Sequence, residues 1–238
     1  MSSGRYNTGM SAQAELARID GEIRAALAGF RSNEGWVRTD EVLEHLCTAY
    51  PNSGIQTVLP KVVALDRLYG ANLLRYLPKP APGEEDWRPG RYLVLARGIV
   101  GLKIDRRIAA ITAKSPGLDM ACLPDVIGLH LEVARVVYHA VGRASDTFTS
   151  YYLHFCRPGY FPIFDPAAER AAQALMARKA LDGKPLILGR YGYDYLPPDA
   201  SHYERLAIAV LALQTALEDE GLGRYALREL DKYLITYA

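Results

Sequence analysis

The stretch Ser145–Ala167, SDTFTSYYLHFCRPGYFPIFDPA, sets six aromatic rings between Phe148 and Phe161, and a seventh at Phe164, around a carboxylate at Asp165. Residues 144–155 read as a short helix, CRPGYFPIFDP as a proline-constrained loop, and 167–181 as the next helix. Pro166 suits a first helical position, where its missing N–H costs nothing. Asp165 then falls at the N-cap, where a carboxylate accepts a backbone N–H. Two readings stand side by side: a helix cap alone, or a carboxylate held at a turn for chemistry.

Working outward, the apolar run Leu123–Ala140 predicts a helix at the centre of the molecule. Before it, IDRRIAAITA, RYLVLARGIV, a segment over 54–76, one capped at Thr39 and ended by Pro51-Asn52-Ser53-Gly54, and one over 11–29 all carry helical spacing. After it, helices are expected through Leu217 from a cap at Asp199 or Ser201, and from Arg224 to Tyr237. Runs such as Leu186–Leu188 are too short to seed a sheet. The expectation is all-α: a compact multi-helix chain forming a single domain over 1–238. Residues 77–90 hold four prolines and mark the boundary candidate between subdomains 10–77 and 90–238.

With 238 residues, 50% hydrophobic and 23% charged, the chain has the composition of a globular protein able to bury a core without staples. Lys plus Arg number 28 against 27 Asp plus Glu, so any anionic partner must be met by a local patch. Cys47, Cys122 and Cys156 have no paired metal or redox spacing and read as buried thiols in a reducing cytosol. The histidines at 45, 130, 139, 154 and 202 offer no ligand pair, so no metal is expected. Phosphate loops, dinucleotide glycine fingerprints and serine elbows are absent, and no cofactor is expected. The opening MSSGRYNTGMSAQAELARID lacks the apolar core of a secretory signal, and no run reaches a membrane span, which predicts a cytoplasmic protein with no membrane partner.

DTFTSYYLHFCRPGYFPIFDP resembles a motif of the form S-F-A-S-K-Y-x-x-F-x-x-P-x-x-Y/F-P-I-Y-D-S, carried by bacterial proteins of unassigned function. NSGIQTVLPKVVALDRLYGANLL, residues 52–74, resembles their N-S-x-x-x-V-x-x-K-V-x-x-L-N-x-x-Y segment, and YALRELDKYL, residues 225–234, their closing R/K-E-x-D-K-Y/F-L-W. That group is in turn remotely similar to helix-hairpin-helix DNA glycosylases of the 8-oxoguanine type. The resemblance implies a helix-hairpin-helix glycosylase-like fold, DNA or a nucleoside as ligand, and Asp165 as the catalytic aspartate. Two departures follow. The lysine of S-K-Y falls on Tyr151, whose phenol cannot form the Schiff base of a lyase, and the hairpin offers only Gly142 where L-P-G-x-G is the pattern.

If the site is active, the surviving chemistry is monofunctional: Asp165 orients or deprotonates water as the glycosidic bond breaks. Tyr151, Tyr152 and Phe161 are the rings for an extruded base, and His154 a hydrogen-bonding group for it, with core packing as the competing reading of each. Lys103, Arg106 and Arg107 share a helical face inside a stretch that also holds Arg88, Arg91 and Arg97. With Gly142 and Arg143 they are the nucleic-acid candidates, with solvated surface charge as the alternative. The loop Arg190–Tyr195 adds stackable rings. The readings kept open are a water-dependent N-glycosylase, a non-catalytic nucleic-acid binder, and a protein-interaction module of a defence or modification gene cluster.

Overall fold

The structure, a computed structural model, describes residues 11–79, 82–83, 86–178, 186–187 and 200–237. The Arg190–Tyr195 loop lies outside the described residues. Among those described there are ten α-helices and no strand, as the spacing of apolar residues predicts. No described helix is long and apolar enough to cross a membrane.

The chain divides into two compact units, one continuous over Phe30–Asp165 and one formed by the described parts of Met1–Gly29 and Pro166–Ala238. The continuous unit holds α2 (Glu34–Ala49), α3 (Ile55–Leu68), a 3₁₀ turn at Leu73–Tyr76, α4 (Gly90–Gly101), α5 (Ile104–Thr112), α6 (Leu123–Val141) and α7 (Asp146–Cys156). Its centre is α6, which buries Val126, Leu129, His130, Val133, Val137 and Ala140 at helical spacing and packs against both α4 and α7. The proline-rich segment 77–90 is internal to this unit, because α3 and α4, which it connects, pack on each other.

The helix expected over 54–76 stops at Leu68. Gly70 (φ 75°) and Asn72 (φ 53°) turn the backbone into the left-handed region. The carboxylate of buried Asp66 then captures the N–H of Leu73 at 2.5 Å and the hydroxyl of Tyr92, which fixes the 3₁₀ turn.

The discontinuous unit consists of α1 (Ala12–Arg31) with α8 (Pro166–Met176), α9 (His202–Asp219) and α10 (Leu227–Tyr237). Leu206 to Leu213 are buried without interruption in α9, so it is the central helix here. Side chains of α1 receive polar partners from the far end of the chain: the Tyr233 hydroxyl donates to Glu22 at 3.0 Å, the Tyr225 hydroxyl to Asp20, and Arg178 to Glu15. Ser201 caps α9 by accepting the N–H of Glu204 at 3.2 Å.

Candidate functional site

Asp165 is the last residue of the continuous unit and directly precedes α8. The run before it, Phe161 to Phe164, is buried, whereas Asp165 itself is half-exposed. Two side chains of α7 hold that run: Ser150 Oγ accepts the N–H of Phe164 at 2.8 Å, and His154 Nδ1 donates to the carbonyl of Phe161 at 2.7 Å. A carbonyl only accepts, so the His154 proton sits on Nδ1. Serine and histidine of the aromatic block thus position the loop that delivers Asp165.

The rings themselves fill the core of this unit. Phe161 and Tyr152 are 0% exposed, and Tyr151 is 8% exposed. Tyr151 packs edge-on against Tyr69 at 4.6 Å; Tyr69 also meets Phe155 at 5.3 Å and Trp36, on the surface, at 5.8 Å. Of the residues expected to grip a base, none therefore presents an open ring face.

The cationic residues are at the surface. Lys103, Arg106 and Arg107 are exposed at the start of α5, with Lys103 at its N-cap in a left-handed conformation (φ 50°). Arg107 is committed to Glu132 of α6 by two hydrogen bonds of 2.7 and 2.9 Å. Gly142 and Arg143 lie in the four-residue turn that joins α6 to α7, both exposed. Gly142 adopts φ 76°, its N–H returns to the Tyr138 carbonyl at 2.7 Å, and Ser145 caps α7 through the N–H of Phe148 at 3.2 Å. Helices α6 and α7 are thus joined by a tight exposed turn with a single glycine and an N-cap. Asp146, in the first turn of α7, complements the helix dipole from within.

A second polar constellation was not foreseen from sequence. Asn52 is 3% exposed and makes four hydrogen bonds to three side chains. Its backbone N–H and its Nδ2 donate to the Asp105 carboxylate at 2.7 and 2.6 Å; its Oδ1 accepts from Lys61 Nζ at 2.9 Å and from the Tyr152 hydroxyl at 2.5 Å. Lys61 is 0% exposed, and its Nζ also donates to the carbonyls of Cys47 (3.0 Å) and Tyr50 (2.5 Å) at the end of α2. Three acceptors require three N–H donors, so the group is an ammonium, and each of these bonds ends on a neutral oxygen. Burial pushes the Tyr152 hydroxyl well above the usual phenol range.

This network backs a cavity of about 530 Å³ lined by Asn52, Asp105, Arg157, Ile108, Cys47 and Cys156 among others. Asp165, Tyr151 and Arg107, whose convergence would mark a glycosylase pocket, are not among its lining residues. Part of the signal lay in the resembled motifs: Lys61 falls on the lettered K when the first is aligned on Val58, Val62, Leu65 and Tyr69, and Tyr152 on the Y of S-K-Y, while Asn52 stands one residue out of register. Read locally, Pro51–Gly54 is a helix stop.

Among the described residues no group of three or more His, Cys, Asp or Glu side chains could hold a metal ion. No protein-family model matches the chain, and no curated protein or solved structure matches it either.

Proposed function

We propose that the protein is a helix-hairpin-helix DNA-binding protein of the glycosylase-like kind, which holds DNA through the α6–α7 hairpin. The observation that supports this reading is the hairpin turn: Gly142, Arg143 and Ala144 are exposed, and the left-handed Gly142 reverses the chain within four residues. A turn of this kind offers backbone N–H groups and one cation to a phosphate, which positions a duplex without reading its sequence. Titration of a labelled duplex at increasing salt tests it. Affinity should fall steeply with salt, and Arg143→Glu should weaken binding about tenfold at low salt. Salt-independent binding, or an Arg143→Glu variant that binds like the parent, contradicts it.

A hydrolytic reading is favoured by Asp165, a half-exposed carboxylate fixed at the end of a buried run. In that reading Asp165 orients water and stabilises the cation that develops on the sugar; with a tyrosine at the lysine position, base release proceeds without a covalent sugar adduct. Lesion-bearing oligonucleotides incubated with the protein should lose base, and Asp165→Asn should abolish release while leaving binding in place. Equal release by the two proteins removes Asp165 from catalysis, and no release by either leaves a non-catalytic DNA binder.

A further inference from the structure

The cavity backed by the Asn52 network holds two thiols that are far apart in sequence, Cys47 from the end of α2 and Cys156 at the end of α7, on helices that pack together. Cys156 is partly exposed, with its Sγ 3.7 Å from Asn52 Nδ2, and buried Cys47 lines the same cavity. Cys122, by contrast, is 0% exposed and its Sγ is engaged by the Asp119 N–H at 3.4 Å and the Gly117 carbonyl at 3.5 Å.

The buried Lys61 ammonium supplies the electrostatic half. Its hydrogen bonds described above end on neutral oxygens, so its charge acts on a negative group forming nearby, opposed by the Asp105 carboxylate on the other side of Asn52. The Cys156 thiol is held below its ordinary pKa, first by its interaction with Cys47 and, against the upward pull of burial and the Asp105 carboxylate, by the Lys61 charge and Asn52; the Cys47 thiol is pushed up. Exposure divides the labour: the partly exposed Cys156 is placed to attack a solute in the cavity, and the buried Cys47 to resolve it.

We propose that Cys156 is a peroxide-reactive thiolate opening on this cavity, and that Cys47 resolves its oxidised form into a Cys47–Cys156 disulfide. Cys156 Sγ attacks one oxygen of a hydroperoxide; the S–O bond forms, the O–O bond breaks, and the departing alkoxide or hydroxide takes a proton from solvent. Cys47 Sγ then attacks the sulfenic sulfur, the S–S bond forms, and the hydroxyl leaves as water with the Cys47 proton. Two thiols are oxidised and one peroxide is reduced. A 530 Å³ opening admits hydrogen peroxide or a small organic hydroperoxide.

The full-length protein treated with hydrogen peroxide at neutral pH, then alkylated and mapped by mass spectrometry, tests the proposal. The expected product is a Cys47–Cys156 cross-linked peptide with Cys122 still alkylated. Cys47→Ser should stop at a Cys156 sulfenic acid that a cyclic 1,3-diketone traps, and Cys156→Ser should leave Cys47 reduced. In the untreated protein, Cys156 should react with iodoacetamide at least tenfold faster than Cys122, a difference that urea abolishes. Cross-linking absent from the wild type, trapping on Cys47 or Cys122 in place of Cys156, or equal alkylation of Cys156 and Cys122 in the folded protein overturns it.

Discussion

Asn52 joins three elements by side-chain chemistry alone: the Asp105 carboxylate of α5, the Lys61 ammonium of α3 and the Tyr152 hydroxyl of α7. Removing it takes one of three acceptors from a buried ammonium and the acceptor of a buried hydroxyl together, whereas removing the Tyr152 hydroxyl leaves Asn52 Oδ1 still bonded to Lys61. Asn52→Ala should therefore cost about 2–4 kcal/mol in urea unfolding and Tyr152→Phe only about 1 kcal/mol. A Tyr152→Phe loss equal to or larger than that of Asn52→Ala contradicts the hub assignment. His130, 0% exposed within α6, makes a second prediction. Burial depresses its imidazole from the ordinary 6.5 to about 3, against a weaker upward pull from the Asp146 backbone. The unfolded chain binds this proton more readily than the folded one, so the stability is fully present above pH 6.5 and is lost as pH falls toward 3. Between pH 7 and pH 5 the wild type should lose about 2 kcal/mol more than His130→Gln. Parallel pH profiles for the two proteins rule out His130 as the source.

At the scale of elements, α4 and α6 approach closely at Gly98, where an added Cβ would clash with Val136 Cγ1. Helix propensity alone makes Gly98→Ala stabilising by about 1 kcal/mol. The clash with a stiff β-branched side chain reverses the sign, and the variant should lose about 1–3 kcal/mol, recovered in part by Val136→Ala in the same chain. A stabilised Gly98→Ala removes the close approach. Helix identities were legible in the sequence because apolar spacing records them directly: α6, α9 and α10 lie where the spacing of Leu, Ile and Val puts them. The end of α3 was not, because it depends on a captured Leu73 N–H and two left-handed residues, which periodicity does not encode. The aromatic block was legible as a feature but not as a role: spacing alone does not tell a ring facing a ligand from Tyr152 or Phe161 facing a core. The Cys47–Cys156 pair was invisible for the simplest reason, since only the packing of α2 on α7 brings the two together.

For the whole molecule, the continuous unit Phe30–Asp165 contains its own apolar centre on α6 and the complete Asn52 network. A chain limited to residues 30–165 should accordingly give a helical far-UV spectrum and one cooperative thermal transition; a non-cooperative melt contradicts its independence. The contacts draw the limits of this unit near Gly29, inside α1, and at Asp165, in the proline-constrained loop before α8, while the proline-rich 77–90 stretch lies within it. Composition registers a loop, but not which helices pack across it. The hairpin reading is tested most directly by amide NMR shifts of the isotopically labelled protein during titration with a short duplex. Saturable, salt-reversible shifts are expected at Gly142, Arg143, Ala144 and Ser145, with the buried amides of Tyr152 and Phe161 little changed. Shifts confined to other surfaces, with the amides of 142–145 unmoved at saturation, would contradict it.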